Sequence, residues 1–341
     1  VSEKSVHRIL FTLIYRLDSL QTETYHSQSV LSAELHSLVD YIRGHREGLD
    51  LPSRFPPWMR KRLNFSEETH QVRALMRQKR LHTVCEEARC PNIGECWEIG
   101  TATFMILGDT CTRACTYCAV KTGTPSGLNL DEPSTLAETV EKLSLNYVVI
   151  TSVNRDDLPD GGAFIFAECI KQIRKRLPSC KIEVLTPDFE GNFNSLRKVL
   201  EATPDTFNHN IESVRRVFPR VRAKGNYDLS LRVLANAKQL CPDLVTKSGV
   251  MVGLGETMDE LVHTMEDLRS VNCDLVTIGQ YLRPSNRHAP ISKWYTPSEF
   301  EELRTIGEDL GFSHVASGPL VRSSYHADEQ HKAASMVSAL S

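Results

Sequence analysis

Six of the ten cysteines fall between Cys85 and Cys118, and that clustering points to redox chemistry or to metal. Cys111, Cys115 and Cys118 follow a C-x3-C-x2-C spacing in the segment DTCTRACTYCAV, directly after the apolar run TFMILG. Three thiolates on a short loop can hold three irons of a cubane 4Fe-4S cluster and leave the fourth iron open to a small ligand. An open coordination position is what catalysis needs. Zinc is the alternative, although zinc ribbons usually bring two C-x2-C knuckles and this chain has one. Disulfides would need an oxidising compartment, and no charged n-region, apolar h-region and cleavage site opens the chain. Upstream, Cys85, Cys90 and Cys96 read C-x4-C-x5-C in CEEARCPNIGECWE. That spacing is unlike the usual ferredoxin runs, so by itself it leaves a second cluster, a zinc site and core thiols all open. Cys169, Cys180, Cys241 and Cys273 have no short ligand spacing and read as core or surface thiols.

The elements that must position these groups follow a repeating βα pattern from about residue 100 onward. Short apolar runs at 103–108, 147–153, 181–187, 205–210, 245–252, 274–281 and 313–317 read as strands. The segments 134–145, 162–177, 193–202, 227–240, 257–271 and 297–310 carry helical spacing. Thr257 with Glu260 predicts a capping box, and Thr296, Pro297 and Glu299 combine a cap, a first-turn proline and an acid before Gly311 stops the helix. Strands alternating with helices predict a parallel sheet, and the repetition favours an open or partial barrel over a doubly wound sheet. In a barrel the functional residues lie at the C-terminal ends of the strands. Leu31, Leu35, Leu38 and Ile42 predict one amphipathic helix before Gly44. Residues 54–80 carry eight basic and two acidic residues, and read as a solvated linker and helix or as a docking surface for an acidic partner.

The C-x3-C-x2-C run with Tyr117 before its last cysteine resembles the radical S-adenosylmethionine superfamily. Both cysteine sets together are similar to the lipoyl synthase family. The likeness continues through TSVNRDDLPDGGA at 151–163, FNHN at 207–210, GVMVGLGET at 249–257, GQYLRPS at 279–285 and VRSSYHAD at 321–328, and so covers about residues 54–335. It implies an α/β fold, a partial (β/α)6 TIM-type barrel over 101–312. Around the barrel it implies an N-terminal extension over 1–53, an auxiliary-cluster segment over 54–100 and a C-terminal segment over 313–341. It further implies two 4Fe-4S clusters: one on Cys111, Cys115 and Cys118 that chelates S-adenosylmethionine, the other on Cys85, Cys90, Cys96 and Ser324. A serine alkoxide is a hard ligand, poorly matched to iron that prefers thiolate, and lability would suit a cluster dismantled to supply sulfur. Without the cysteines, Ser323 and Ser324 would read as a turn cap.

For S-adenosylmethionine itself, the resemblance puts Gly161 and Gly162 at the methionine moiety. Gly253, Gly255 and Glu256, between a strand and a capped helix, are placed to meet the adenosine. Asn154, Arg155 and Asp156 crowd polar groups after a strand and suit the cofactor's carboxylate or ribose; a solvated βα loop is the plainer reading. His209 and His326 read as hydrogen-bonded structural residues.

The implied activity is a sulfurtransferase reaction, the radical insertion of sulfur at C6 and C8 of a protein-bound octanoyl chain. These C–H bonds have no neighbouring group to acidify them, so acid–base catalysis does not reach them, while a 5'-deoxyadenosyl radical does. Implied partners are an octanoylated lipoyl carrier domain or glycine-cleavage carrier protein, an external electron donor and an iron–sulfur carrier that rebuilds the spent cluster. The chain is read as a monomer. The rival readings are a methylthiotransferase, which normally carries further binding domains, and a zinc-binding scaffold. Composition supports an ordinary globular enzyme: 341 residues, 40% hydrophobic, 24% charged and net charge −3 exclude wholesale disorder and the basic field of a non-specific nucleic-acid binder. No run of about 18 apolar residues predicts a membrane span. Residues 1–50 hold five basic and seven acidic residues, which favours the cytoplasm, with the mitochondrial matrix as the alternative if the N-terminus is a processed one.

Overall fold

The structure is a computed structural model that describes residues 55–60, 67–79, 81–87 and 90–338. The helix expected around Leu31–Ile42 and much of the basic segment lie outside the described residues. Of that segment, α1 (Glu67–Lys79) spends two cations internally, Arg73 on Glu86 at 3.2 Å and Lys79 on Glu138 at 2.9 Å. Two short helices follow, α2 (Val84–Glu87) and α3 (Ile93–Glu98), and these carry Cys85 and Cys96.

Ten strands are described: β1 (His82–Thr83), β2 (Thr101–Ile106), β3 (Thr110–Cys111), β4 (Lys121–Thr122), β5 (Tyr147–Ser152), β6 (Lys181–Leu185), β7 (Thr206–Asn208), β8 (Val245–Val252), β9 (Leu275–Gln280) and β10 (His314–Gly318). Eight form one sheet in the order β1-β2-β5-β6-β7-β8-β9-β10. All neighbours are parallel except β1, which runs antiparallel to β2. The parallel strands follow one another in chain order, so every crossover moves the same way, whereas a doubly wound sheet reverses at a switch point. The result is the partial barrel expected from the sequence, extended by β10. The 205–210 run forms a strand only at its first residues, because the chain beyond Asn208 bends into the site described below.

The crossover helices are α4 (Glu132–Lys142), α5 (Ala163–Arg176), α6 (Phe193–Glu201), α7 (Phe218–Val221), α8 (Tyr227–Leu240), α9 (Met258–Ser270) and α10 (Pro297–Asp309), with α11 (Ala327–Ser338) closing the chain. Both predicted capping boxes form: Thr257 with Glu260 at α9, and Thr296 with Glu299 at α10. Strands buried on both faces read as unbroken apolar runs. In β5, Val148 and Ile150 pack into the main core, while Tyr147 and Val149 on the opposite face meet Ala327 of α11. Each full burial of Val or Ile contributes roughly 1.5–3 kcal/mol. Further along α11, Ala334 packs on Val245 and Leu275, so the C-terminal helix lies across the strand starts on that face. A buried polar network supports it there. Lys247 pairs with Glu183 at 3.2 Å, both fully buried, Tyr147 Oη donates to Glu183, and Thr206 Oγ1 meets His331 Nδ1 at 2.9 Å. Among the described residues no helix is long and apolar enough to cross a membrane.

Candidate active site

The C-x3-C-x2-C loop leaves the C-terminal end of β2, where a barrel places functional groups. Its first cysteine belongs to β3, which pairs with β4 and ties the ends of the loop together. Inside, the buried Arg113 guanidinium pairs with Asp156 at 2.8 Å and Asp188 at 2.6 Å. Burial would raise the Asp188 pKa, but Arg113 prevails and holds it down at about 2. A buried charge flanked by two carboxylates fixes the loop against the ends of β5 and β6. The backbone N–H groups of Arg113 and Asn154 both donate to Cys111 Sγ, at 3.4 and 3.3 Å. On the outer side, Thr116 N donates to Val221 O, Ala289 N donates to Thr116 O, and His288 Nε2 donates to Cys118 O.

Cys111, Cys115 and Cys118 line a cavity of about 150 Å³. Much of its wall is polar and lacks a protein partner: Ser152 Oγ, Asn154 Oδ1, Thr186 Oγ1, His209 Nε2 and Asn210 Oδ1. Buried polar atoms left unpaired are costly, so this wall is built for a polar ligand. His209 Nδ1 donates to Thr186 O at 2.9 Å, and burial, reinforced by Arg222, lowers its pKa to about 4, so Nε2 is a neutral acceptor.

Cys85, Cys90 and Cys96 meet Ser324 and Ser323 on a second cavity of about 280 Å³. Gly279 makes this possible, since a Cβ there would run into the Val321 carbonyl as the C-terminal segment crosses the end of β9. Asn92 Nδ2 donates to Leu320 O at 2.7 Å, and Glu95 on α3 accepts from Tyr325 Oη at 3.0 Å and from His326 Nε2 at 2.9 Å. Tyr117, Cys118, Val120, Asn210 and Glu212 line both cavities, which therefore share a wall. Glu212 holds a left-handed φ of 67° while pairing with Val250, a strained backbone of the kind found where function over-determines a position.

Burial holds three of these six thiols protonated. Burial, then the neighbouring thiols Cys90 and Cys96, push Cys85 up to about 12. Burial does the same to Cys118, also to about 12, and raises Cys115. A metal cation inverts this balance and deprotonates each sulfur. Among the described residues no three His, Cys, Asp or Glu side chains converge closely enough to hold a single metal ion. A cubane asks for one thiolate per iron, and each set brings three cysteines to one cavity.

Asn154 of the expected S-adenosylmethionine contacts lies in the cysteine cavity. Arg155 instead pairs with Asp157 at 2.8 Å and, with Asp156 and Gly161, lines a third cavity of about 210 Å³. Gly162, at φ 85°, starts α5 where any Cβ would strike Leu107. The Glu256 carboxylate accepts from the Gly253 and Leu254 amides, so this loop is closed on itself, and Gly253, Gly255 and Glu256 line neither cysteine cavity. The sequence reading passed over Arg113, Ser152, Thr186, Glu212 and Arg222. Glu212 had a usable signal, since it lies two residues beyond the FNHN motif.

Comparison with known proteins agrees with this geometry. Residues 105–268 match the family model of the radical SAM superfamily, and residues 32–90 that of the N-terminal domain of lipoyl synthase of the radical SAM family. The likeness thus begins upstream of residue 54. The chain is 56% identical over 275 residues to the lipoyl synthase of Rubrobacter xylanophilus, covering 81% of this chain and 86% of the relative. It is 57% identical over 278 residues to the lipoyl synthase of Symbiobacterium thermophilum, covering 82% and 87%. In fold it is similar to the crystal structure of HydG, a maturase of the [FeFe]-hydrogenase, with a TM-score of 0.50 at 14% identity over 79% of this chain and 65% of that one. With more than half of the aligned residues identical across most of both chains, this protein belongs to the lipoyl synthase family of radical S-adenosylmethionine enzymes.

Proposed function

We propose that the protein inserts two sulfur atoms, at C6 and C8, into an octanoyl chain carried on a lysine of a small carrier domain. Membership of the radical SAM superfamily brings S-adenosylmethionine and a 4Fe-4S cluster with it. The observation that carries the finer reading is the shared wall: Cys118 and Tyr117 open onto the same cavity as Cys85, Cys90, Cys96 and Ser324, so an acyl chain there reaches both sulfur-ligand sets. When bound, a cluster on Cys111, Cys115 and Cys118 supplies one electron and an open iron to S-adenosylmethionine, and a second on Cys85, Cys90, Cys96 and Ser324 supplies sulfur.

The chain's own residues position and exclude. Asn154, Ser152, Thr186, His209 and Asn210 offer hydrogen bonds to the cofactor's polar groups, and Glu212 separates that pocket from the acyl cavity. Arg155 and Asp156 act through the loops they hold, and Gly161, Gly162, Gly253, Gly255 and Glu256 shape the surrounding turns. Segment 54–100 and the 313–341 segment together carry the auxiliary donors around the 101–312 barrel. The acyl donor is an octanoylated lipoyl carrier domain or glycine-cleavage carrier protein. The enzyme works as a monomer in the cytoplasm, where thiols stay reduced, and takes replacement iron and sulfide from an iron–sulfur carrier.

Anaerobic reconstitution with iron and sulfide tests this reading, with about eight irons per chain expected for two cubanes. Given S-adenosylmethionine, a reductant and an octanoyl-lysine peptide, the product is a peptide heavier by two sulfurs less two hydrogens, and heavy sulfide built into the protein labels both. Unlabelled product would remove the donor role. Active cofactor cleavage with no sulfur in the peptide would overturn the substrate assignment.

A further inference from the structure

Two segments, 213–227 and 281–298, close over the outside of the radical cysteine loop, which lies within 110–130, and none of the three stretches contains a carboxylate. Backbone and side-chain hydrogen bonds draw them together around Thr116. Val221 O accepts from Thr116 N, Thr116 O accepts from Ala289 N, Cys118 O accepts from His288 Nε2, and Lys224 Nζ donates to Thr112 O. Several of their cations are neutralised inside the protein: Arg113 by Asp156 and Asp188, Arg215 by Asp228, Arg216 by Glu260 and Lys293 by Glu299. Arg220, Lys224 and Arg287 are exposed, and among the described residues they make no ion pair; Lys121, also exposed, has only Asp109 at 4.0 Å. A protein of net charge −3 thus gathers unpaired positive charge on the rim of one loop.

We propose that this basic collar is the docking surface for an acidic protein that delivers single electrons to the enzyme. The proposal rests on the reading of Cys111, Cys115 and Cys118 as redox-cluster ligands. Electron transfer weakens steeply with distance, so a donor must rest against the loop that carries those thiolates. An acyl carrier faces no such constraint, because its flexible octanoyl-lysine arm spans the gap between its docking site and the reacting carbons. Complementary charge raises encounter rates and fixes orientation with little cost in desolvation. At each encounter the donor is oxidised by one electron and the enzyme reduced by one; no covalent bond or proton passes between the two proteins.

The test uses the anaerobically reconstituted holoenzyme and its Arg220→Glu, Arg287→Glu and double variants, with an acidic flavodoxin as the probe. Calorimetric titration with oxidised flavodoxin measures docking without turnover, and 5'-deoxyadenosine formation is followed with either reduced flavodoxin or dithionite. The double variant is expected to bind flavodoxin roughly tenfold more weakly and to lose a similar factor in flavodoxin-driven rate. Its dependence on salt flattens, while the dithionite-driven rate and the KM for octanoyl carrier domain stay as in the unmodified protein. Unchanged flavodoxin affinity overturns the proposal. So does a raised KM for the carrier domain with flavodoxin binding intact, which would make the collar the acyl carrier's site. No 5'-deoxyadenosine from the unmodified holoenzyme with dithionite would instead sink the radical reading, leaving the titration to judge the surface.

Discussion

The two cysteine sets line adjoining cavities that share a wall, but they are built differently. Cys111, Cys115 and Cys118 hang from the end of β2 on a loop clamped by a buried guanidinium between two carboxylates, with carbonyl and amide contacts to the loops after β7 and β9. Cys85, Cys90 and Cys96 sit on and between short helices before the barrel, and Ser324, which lines the same cavity, arrives from a segment joined to them by Asn92–Leu320, 228 residues apart, and by Glu95 with Tyr325 and His326. One site is preorganised by the core of the fold. The other is assembled from its two ends through a few partly exposed hydrogen bonds, each worth about 1 kcal/mol. Under the proposed function, a site that keeps its cluster through turnover suits the first construction, and a site that gives its sulfur away suits the second.

The sharpest way to break this comparison is to remove one thiolate from each set. Cys111→Ala, Cys115→Ala or Cys118→Ala is expected to abolish 5'-deoxyadenosine formation under dithionite and to halve the bound iron, from about eight to about four. Near-normal cleavage in any of the three would take that cysteine out of the radical site. Ser324→Ala acts on the other half. Lipoyl formation should fall roughly 10- to 100-fold while cofactor cleavage remains measurable, and Ser323→Ala should be milder. Equal product yields from Ser324→Ala and the unmodified enzyme would exclude Ser324 as a ligand.

A smaller effect separates the two scaffolds. Arg113→Met removes the shared guanidinium from Asp156 and from the buried Asp188, whose next cation, Arg222, lies at 4.0 Å, and is expected to cost about 3–5 kcal/mol in denaturant unfolding of the iron-free protein. Asn92→Ala, which cuts a tie to the C-terminal segment, costs only about 1 kcal/mol. If the two variants melt alike, the radical loop has no privileged clamp.

The least of the four lies in acid. His209 is neutral when folded, with its pKa lowered from 6.5 to about 4, so protons bind preferentially to the unfolded chain between those values. Stability is therefore fully present above pH 6.5 and declines as pH falls toward 4, by roughly 3 kcal/mol at most. Asp188, lowered from 3.8 to about 2, adds a loss of the same sign only below about pH 4. His209→Gln should flatten the decline between pH 6.5 and 4 in denaturation midpoints and leave the loss below pH 4 in place. An unchanged slope would mean that His209 does not stay neutral in the native state.

Much of the architecture was legible because it depends on neighbours along the chain. Seven strands and six crossover helices follow from apolar runs and helical spacing, and both capping boxes from residues three apart. The short helices α2 and α3 escaped notice, since four to six residues carry too little periodicity to register. Cysteine spacing singled out both cysteine groups, because thiols a few residues apart lie close whatever surrounds them.

Contacts between distant segments are set by the tertiary structure, and for Ser324 the sequence carried them only through a family resemblance. The meeting of Ser324 with Cys85, Cys90 and Cys96 requires the crossing at Gly279, and the shared wall of Tyr117, Cys118 and Glu212 requires the barrel to bring β2, β7 and β8 around one space. Arg155, Asp156 and Glu256 resemble ligand contacts in a linear reading because charge after a strand is ambiguous. The folded chain pairs them with Asp157, Arg113 and backbone amides. Charge and hydrogen-bonding capacity are written in the sequence, whereas whether a group is spent on the protein or left for a ligand depends on what comes within about 3 Å of it, and only folding sets that distance.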